Sequence, residues 1–323
     1  MRISSVGIPS KILVATALTI LLIRSAAAQD AVAPNVGHFD YSASAPLEVK
    51  EVSVQQRDSV SIHDITYVSP NGGTVPAYLV VPKGTGKFAA ILWSHWLMPN
   101  SSTSNREEFL NEAIALAPTG VISLLINAPS ARPGFKPAPN PAVIAQQVID
   151  LRRGVDLLLS RSDIDPKHIA YVGHSWDAGN GAILDAVDKR ISAFVFMSGP
   201  QSTRQYFLDS DSPRMIAARQ GKDLAKVEQA MQASAWADPG SYATHLGPAP
   251  ALFQYGLQDE DWVPLKDAKD YFAMSSGPKE VKFYESGHAL NAQARLDRIK
   301  FLQQHLALPP LPPGTIESIP DTT

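Results

Sequence analysis

Short apolar runs alternate with longer amphipathic segments along most of this chain. The apolar runs lie at residues 88–93, 121–126, 169–172, 194–197, 251–255 and 281–284. Runs of this kind are typical of strands that are buried on both faces of a parallel sheet. The segments with helical patterns lie between them, at residues 106–116, 141–159, 178–187, 264–273 and 289–306. Strand alternates with helix, which predicts an α/β fold with a doubly wound, mostly parallel sheet.

Two segments depart from this alternation. Residues 60–68 and 74–81 alternate apolar and polar positions on either side of a turn sequence, SPNGG, which predicts an antiparallel hairpin. Residues 200–246 contain a charged helical pattern at 214–233 and no convincing strand. We expect this segment to form a small helical cap, inserted over the carboxyl edge of the sheet.

The first residues have the pattern of a secretory signal peptide. Arg2 and Lys11 precede an apolar stretch at residues 12–23, and three alanines end at Ala28. The stretch is too short to span a bilayer, and the alanines are typical of a cleavage site. We therefore predict a signal peptide at residues 1–28 and a secreted or periplasmic mature chain without a membrane segment. An uncleaved membrane anchor is the alternative.

The main domain is expected at residues 59–307. A polar lead-in segment with scattered prolines, residues 29–58, precedes it, and a Pro-rich tail, residues 308–323, follows it. Prolines between residues 309 and 313 end the last helical pattern, so the tail is expected to be extended or disordered.

Composition narrows the classes of function. The 323 residues include no cysteine, which excludes disulfides, thiolate metal sites and a cysteine nucleophile. The formal net charge of -3 is dispersed, so no nucleic-acid partner is expected. No metal-ligand spacing and no dinucleotide-binding glycine pattern is present, which predicts neither a metal nor a cofactor. The sequence makes no prediction about oligomeric state.

One sequence, GHSWD at residues 173–177, carries the strongest chemical signal. It follows the apolar run at 169–172 and opens the helical pattern at 178–187. A strand that ends in a serine, which at once begins a helix, is typical of a nucleophile elbow. The G-x-S-x-G pattern is incomplete because Asp177 replaces its second glycine. Taken alone, Ser175 could equally be a helix N-cap.

An acid and a base follow the serine along the chain. Asp259 comes after the run at 251–255, and His288 comes after the run at 281–284. A serine hydroxyl needs a base to remove its proton, and the base needs an acid to hold its tautomer. The carboxyl ends of parallel strands meet in one crevice, so we expect these three side chains to converge.

These motifs resemble those of the α/β-hydrolase superfamily, in particular its dienelactone-hydrolase-like and prolyl-oligopeptidase-like esterase branch. The resemblance covers about residues 60–306. It rests on the sequence GHS at 173–175, on Gly256 to Asp259 with Val263-Pro264, and on Gly287-His288. It implies an α/β-hydrolase fold. It also implies that Ser175 is the nucleophile, that His288 is the general base, and that Asp259 orients the base. Asp261 is a second candidate acid.

The resemblance also implies an oxyanion hole made of backbone N–H groups. This chain has His95-Trp96 where the family usually has His-Gly. We expect the Trp176 N–H to pair with that of Trp96 or Leu97, and we expect Leu97 to contact the substrate. Trp96 and Trp176 either wall the acyl site or pack in the core. His95 either braces this loop or packs.

Asp177 allows two interpretations. Its carboxylate either supports the first turn of the helix, where the helix dipole favours a negative charge, or faces the oxyanion site and opposes catalysis.

The leading hypothesis is a serine hydrolase that cleaves small-molecule carboxylic esters through an acyl-enzyme intermediate. A serine peptidase or amidase of the same superfamily is one alternative. A catalytically silent binding protein that keeps the fold is another, with Asp177 as the sign of lost chemistry.

Overall fold

The computed structural model of the protein describes residues 36–57, 59–70, 73–98, 101–135 and 140–320. The predicted signal peptide at residues 1–28 lies outside the described residues. Within those ranges, no helix is both long enough and apolar enough to cross a membrane.

A single nine-stranded sheet forms the centre of the domain. Its strands, in chain order, are β1 (Lys50–Gln56), β2 (Val60–Ser69), β3 (Gly73–Pro82), β4 (Phe88–Ser94), β5 (Val121–Ile126), β6 (Ile164–His174), β7 (Ala193–Met197), β8 (Ala251–Gly256) and β9 (Lys279–Tyr284). Across the sheet the order is β1-β2-β3-β5-β4-β6-β7-β8-β9. Strands β1, β2, β3 and β5 pair antiparallel with one another in that order. From β5 through β4 to β9, all neighbouring strands are parallel.

The described helices connect these strands. They are α1 (Leu110–Leu116), α2 (Pro141–Ser160), α3 (Trp176–Val187), α4 (Thr203–Asp209), α5 (Pro213–Arg219), α6 (Leu224–Ala233), α7 (Leu265–Met274) and α8 (Ala292–His305). Short 3-10 helices cover Val36–Phe39, Ala117–Thr119, Pro129–Ala131, Ala235–Ala237 and Pro239–His245.

Helices cover both faces of the sheet, and each face has its own apolar core. Side chains of α2, α3 and α7 pack on one face, and side chains of α1 and α8 pack on the other. Strand β4 illustrates why the apolar run at residues 88–93 contains no polar residue. Leu92 belongs to the first core, whereas its neighbours Ile91 and Trp93 belong to the second. Successive strand residues point to opposite faces, so both sets must be apolar. The predicted doubly wound sheet is confirmed.

Sequence signals explain where several helices begin. Asn140 caps α2 by accepting a hydrogen bond from the Ala142 N–H at 3.0 Å, and Pro141 takes the first helical position. Asn291 caps α8 in the same way, by accepting from the Ala294 N–H at 3.1 Å.

The segment between β7 and β8 is helical, as a cap would be. The pattern at residues 214–233 predicts one helix, but the structure divides it into α5 and α6. The break contains Gly221, whose φ of +70° does not occur in a right-handed helix. Asp223 then caps α6 by accepting a hydrogen bond from the Lys226 N–H.

Two predictions about the flanking segments differ from the structure. Residues 50–56 of the lead-in segment form the exposed edge strand β1, in which only Val52 and Val54 alternate with polar residues and neither face is buried. The tail is not extended: Ile319 is buried against the second core, and its carbonyl accepts a hydrogen bond from the Arg295 guanidinium at 2.8 Å. Apolar side chains among the prolines supply the contact.

Candidate active site

Ser175 lies in the sharp turn between β6 and α3. Its φ of 55° and ψ of -114° place a non-glycine residue in a sparsely populated backbone region. The Ser175 N–H donates to the Met197 carbonyl on the neighbouring strand at 2.7 Å. A Cβ at Gly173 would lie 2.5 Å from the Asp177 carbonyl oxygen, so glycine is required there. The turn has the geometry of a nucleophile elbow.

The structure brings the predicted serine, histidine and aspartate together. Ser175 Oγ lies 2.7 Å from His288 Nε2, and His288 Nδ1 lies 2.6 Å from Asp259 Oδ2. A carboxylate accepts hydrogen bonds, so Nδ1 carries the ring proton and Nε2 is free to accept from the serine hydroxyl. This is the tautomer that a general base needs.

The surroundings of His288 favour its neutral form. Burial lowers the pKa of the His288 imidazole below its usual value, although the hydrogen bond to Asp259 acts in the opposite direction. The imidazole is therefore neutral at neutral pH and available to take the proton of Ser175.

Geometry distinguishes the two candidate acids. Asp259 is buried, and its second oxygen accepts from the Trp262 N–H at 3.1 Å, which fixes the carboxylate beside His288. Asp261 is exposed, and within the described part of the chain only its backbone carbonyl takes part in hydrogen bonds, from Tyr206 and Ser212. Of the two candidate acids, it is thus Asp259 whose carboxylate contacts the His288 imidazole.

A close approach of two loops makes this arrangement possible. Asp259 follows β8 and His288 follows β9. The last residue of β8, Gly256, packs closely against the loop after β9. A Cβ there would lie 2.4 Å from the carbonyl oxygens of both Ser286 and Gly287. The strand-ending glycine thus lets the Asp259 loop meet the His288 loop.

The loop after β4 differs from the prediction for Trp96. Its N–H donates to Glu108 Oε2 at 2.7 Å and is not available to an oxyanion. The physical reason is that the buried carboxylate of Glu108 lies beside the Trp96 N–H. The sequence does not reveal this contact. Over the described residues, the Leu97 N–H has no hydrogen-bond partner, and Leu97 lines the cavity at Ser175. Of the two N–H groups expected to pair with that of Trp176, the one of Leu97 therefore remains the candidate oxyanion donor.

His95 braces this loop, which was one of its two interpretations. Its Nδ1–H donates to the Trp96 carbonyl at 2.7 Å, and its Nε2 accepts from the Ala128 N–H at 3.0 Å. Ser104 Oγ donates to the same Trp96 carbonyl at 3.1 Å. The peptide that carries the Leu97 N–H is thus held through its carbonyl oxygen.

A cavity of about 290 Å³ opens at Ser175 and His288. The cavity is lined by residues of α3, of the cap and of the loop after Asp259. The lining includes Leu97, Ile144, Trp176, Arg214, Met215 and Trp262. The Arg214 guanidinium lies 3.7 Å from the centre of the Trp262 ring. Trp176 lines this cavity, but Trp96 does not. Trp96 is buried and stacks on His174, so it packs in the core and does not wall the acyl site.

Asp177 is fully buried within a hydrogen-bond network and does not line the cavity. Its carboxylate accepts from Ser94 Oγ at 2.6 Å and from Asn180 Nδ2 at 2.7 Å. Burial raises the pKa of Asp177, while the hydrogen bonds from Asn180 and Ser94 act in the opposite direction. The carboxylate connects the first turn of α3 to the end of β4, so the structure favours the supporting interpretation over the oxyanion-facing one.

Sequence reasoning missed Glu108 and Ser198. Ser198 Oγ donates to the His288 carbonyl at 2.5 Å, and Glu108 contacts both Trp96 and His174. Glu108 occurs within an ordinary polar segment before α1, and no local pattern distinguishes it from its neighbour Glu107. Among the residues that the structure describes, no group of three or more His, Asp or Glu side chains could hold a metal ion.

Comparisons with known proteins identify the fold. No protein-family model matches the chain, and neither does any curated protein sequence. The solved structure of an acetyl xylan esterase from Paenibacillus sp. R4 matches with a TM-score of 0.69 at 20% sequence identity, over 81% of this chain and 90% of its own. Acetyl xylan esterase 1 from Thermoanaerobacterium sp. JW/SL YS485 matches with a TM-score of 0.64 at 15% identity, over 80% and 87% of the two chains.

A cold-adapted esterase from an Arctic intertidal metagenomic library matches with a TM-score of 0.53 at 16% identity, over 79% of this chain and 97% of its own. Similarity at this level of identity speaks to the fold. The chain has the α/β-hydrolase fold.

Proposed function

We propose that this protein is a serine hydrolase that cleaves small-molecule carboxylic esters through an acyl-enzyme intermediate. The observation that carries the proposal is the hydrogen-bonded series from Ser175 Oγ through His288 to the buried carboxylate of Asp259. In the first step Ser175 Oγ attacks the ester carbonyl carbon while His288 Nε2 takes the hydroxyl proton. His288 then gives this proton to the departing alcohol oxygen, and the acyl group remains on Ser175.

In the second step His288 takes a proton from water, and the resulting hydroxide attacks the acyl carbon. The acid is released and Ser175 regains its proton. In both steps the negative charge on the carbonyl oxygen is stabilised by the N–H groups of Trp176 and Leu97. Asp259 keeps the Nδ1 proton in place and stabilises the imidazolium that forms.

Several observations favour esters over amides. The three similar structures are all named esterases, and two of them are named acetyl xylan esterases. The cavity is small, which suits a short acyl group. An alcohol also leaves more readily than an amine, so no additional site for a protonated amine is required.

Turnover of p-nitrophenyl acetate by the full chain tests the proposal. We expect wild-type protein to hydrolyse it and Ser175→Ala to be inactive while folding normally. Ser59→Ala, which changes an exposed serine outside the cavity, should match wild type. A p-nitroanilide with the same acyl group tests the peptidase or amidase alternative. Faster turnover of the anilide would favour that alternative, and no turnover of either would favour a silent binding protein.

We also propose that the chain is exported. The sequence at residues 1–28 supports this, through its basic start, its short apolar stretch and its three alanines before Gln29. Sequencing the N-terminus of the protein from the periplasm or the medium tests the proposal. It should begin at Gln29, whereas an intact N-terminus in the membrane fraction would support the uncleaved anchor.

A further inference from the structure

The buried carboxylate of Glu108 lies outside the proposed triad and contacts both the loop after β4 and His174. Glu108 Oε2 accepts from the Trp96 N–H at 2.7 Å, in the loop that carries the Leu97 N–H. Its other oxygen, Oε1, lies 2.5 Å from His174 Nδ1. The side chains of Glu108 and His174 are only 5% and 2% exposed, so water does not compete for these contacts.

His174 extends the network to the base. Its Nε2 lies 3.0 Å from the backbone carbonyl of His288. A carbonyl only accepts, so Nε2 must carry a proton. A second proton then lies between Nδ1 and Glu108, bound to either partner, and the net charge of the pair is zero in both cases. The pair thus adds directional hydrogen bonds without adding charge beside the site.

The two ends of the network hold the groups that must meet a substrate. The His288 carbonyl accepts from both His174 and Ser198, which fixes the backbone of the base. The Trp96 ring stacks on His174 with centroids 4.9 Å apart, so the oxyanion loop and His174 also pack as one unit. A shift of the Glu108 carboxylate would therefore move the Leu97 N–H relative to the imidazole.

We infer that Glu108 and His174 are positioning residues, which hold the Leu97 N–H and the His288 imidazole at their working separation through one continuous hydrogen-bond network. This inference rests on the proposed ester hydrolysis. Misplacement of a catalytic group by about 1 Å can cost about 100-fold in rate. The effect should fall on kcat, because the oxyanion contact forms fully only in the transition state.

A set of variants at one position tests the inference. Glu108→Ala and Glu108→Met remove both hydrogen bonds, and the methionine keeps most of the volume. Glu108→Gln can retain all contacts: its oxygen accepts from the Trp96 N–H, and its amide N–H donates to His174 Nδ1. His174 Nε2–H then still reaches His288. Glu107→Ala is the matched control, because it removes an exposed carboxylate one residue earlier.

The readouts are kcat and KM for p-nitrophenyl acetate per titrated active site, together with the unfolding midpoint. We expect kcat to fall about 100-fold in the alanine and methionine variants, with KM changed far less, and to recover in Glu108→Gln. Glu107→Ala should behave as wild type. Turnover by wild type establishes the activity separately, so failure of the proposed function is distinguished from failure of this inference.

Three outcomes would overturn the inference. In the first, Glu108→Ala or Glu108→Met lowers the unfolding midpoint but keeps wild-type kcat per active site, which is the behaviour of a structural pair. In the second, Glu108→Gln is as slow as the truncations at unchanged stability, which makes the charge and not the hydrogen bonds decisive. In the third, neither truncation yields a titratable site while Glu108→Gln is fully active, which makes the pair a requirement for folding.

Discussion

Ser175 combines the hydroxyl of the proposed nucleophile with a backbone conformation that few residues other than glycine adopt. Its φ is 55°, and such conformations cost of order 1–3 kcal/mol. The surrounding turn maintains it through the Ser175 N–H bond to Met197 and the close packing at Gly173. Alanine at position 175 keeps the same backbone demand, so Ser175→Ala isolates the contribution of the hydroxyl.

The acid of the triad gives the first prediction. Asp259→Asn should lower kcat by about 10⁴-fold, because the amide can stabilise the wrong tautomer of His288. Asp261→Asn should leave kcat near the wild-type value, since its exposed carboxylate has no contact with the base. Steady-state kinetics on both variants decide the matter, and the reverse ranking would transfer the role to Asp261.

Asp177 gives the second prediction. Asp177→Gly removes the bonds from Ser94 and Asn180 and adds a glycine to α3, which should cost about 2–3 kcal/mol of unfolding free energy. Asp177→Asn should cost roughly 1 kcal/mol, because its amide must face a donor. Both should keep kcat nearly unchanged. Denaturant unfolding and kinetics on the same samples check this; a rise in kcat would mean that the carboxylate opposes the oxyanion.

Sequence alone could predict that the three residues of the proposed triad converge, but not which groups surround them. Ser175, Asp259 and His288 each follow a strand that has a clear apolar pattern, so topology brings them together. Glu108 and the occupied Trp96 N–H depend on a contact between two loops, which no local pattern encodes. Asp177 was recognised as unusual, but its direction is set by Ser94, which is distant in sequence.

At the scale of elements, the loop after β4 and the start of α3 contribute different tryptophans. Trp176 should wall the acyl site because it lines the cavity, and Trp176→Ala should raise the ratio of kcat/KM for butyrate over acetate esters by about tenfold. Trp96→Ala should instead lower stability, by about 3–5 kcal/mol, without changing this ratio. A chain-length series of p-nitrophenyl esters separates the two. Unchanged selectivity in Trp176→Ala would remove it from the acyl site.

Apolar patterns predict the buried elements better than the exposed ones. Strands β4, β5, β7 and β8 are buried along their whole length, and their apolar runs predict them well. Strand β1 is exposed along its whole length, and the alternation in its sequence is limited to Val52 and Val54. Within the cap, the pattern at residues 214–233 predicts one helix, but Gly221 lies in a break between α5 and α6. The prolines of the tail predict an extended or disordered segment, whereas Ile319 is buried against the second core.

At the scale of the whole molecule, a buried acid far along α3 should make stability depend on pH. Burial raises the pKa of Asp185 to about 6, despite a hydrogen bond from the Gly247 N–H. The folded protein then binds this proton more tightly than the unfolded chain. Its contribution to stability is present at low pH and is lost as the pH rises toward 6.

The matching prediction concerns Asp185→Asn, which keeps the Gly247 contact and cannot ionise. Its unfolding free energy relative to wild type should rise between pH 4 and pH 7 by up to about 3 kcal/mol. Asp188→Asn is the control, because the pKa of Asp188 is lowered from its usual value of 3.8 and its contribution to stability changes only below this window, so its difference from wild type should be nearly flat between pH 4 and pH 7. Burial acts to raise the pKa of Asp188, but the hydrogen bonds and charge of Arg190 outweigh it and lower the pKa. Denaturant unfolding across this range checks both, and a flat difference for Asp185→Asn would contradict the account.

The central claim is that Ser175 is a nucleophile activated by His288. The most direct measurement is the reaction of the folded chain with a fluorophosphonate, followed by mass spectrometry of the intact protein and its peptides. One adduct is predicted, on the peptide that contains Ser175. It should be absent in Ser175→Ala and form far more slowly in His288→Ala, because the hydroxyl then keeps its proton. An adduct on another residue, or none on folded wild-type protein, would contradict the claim.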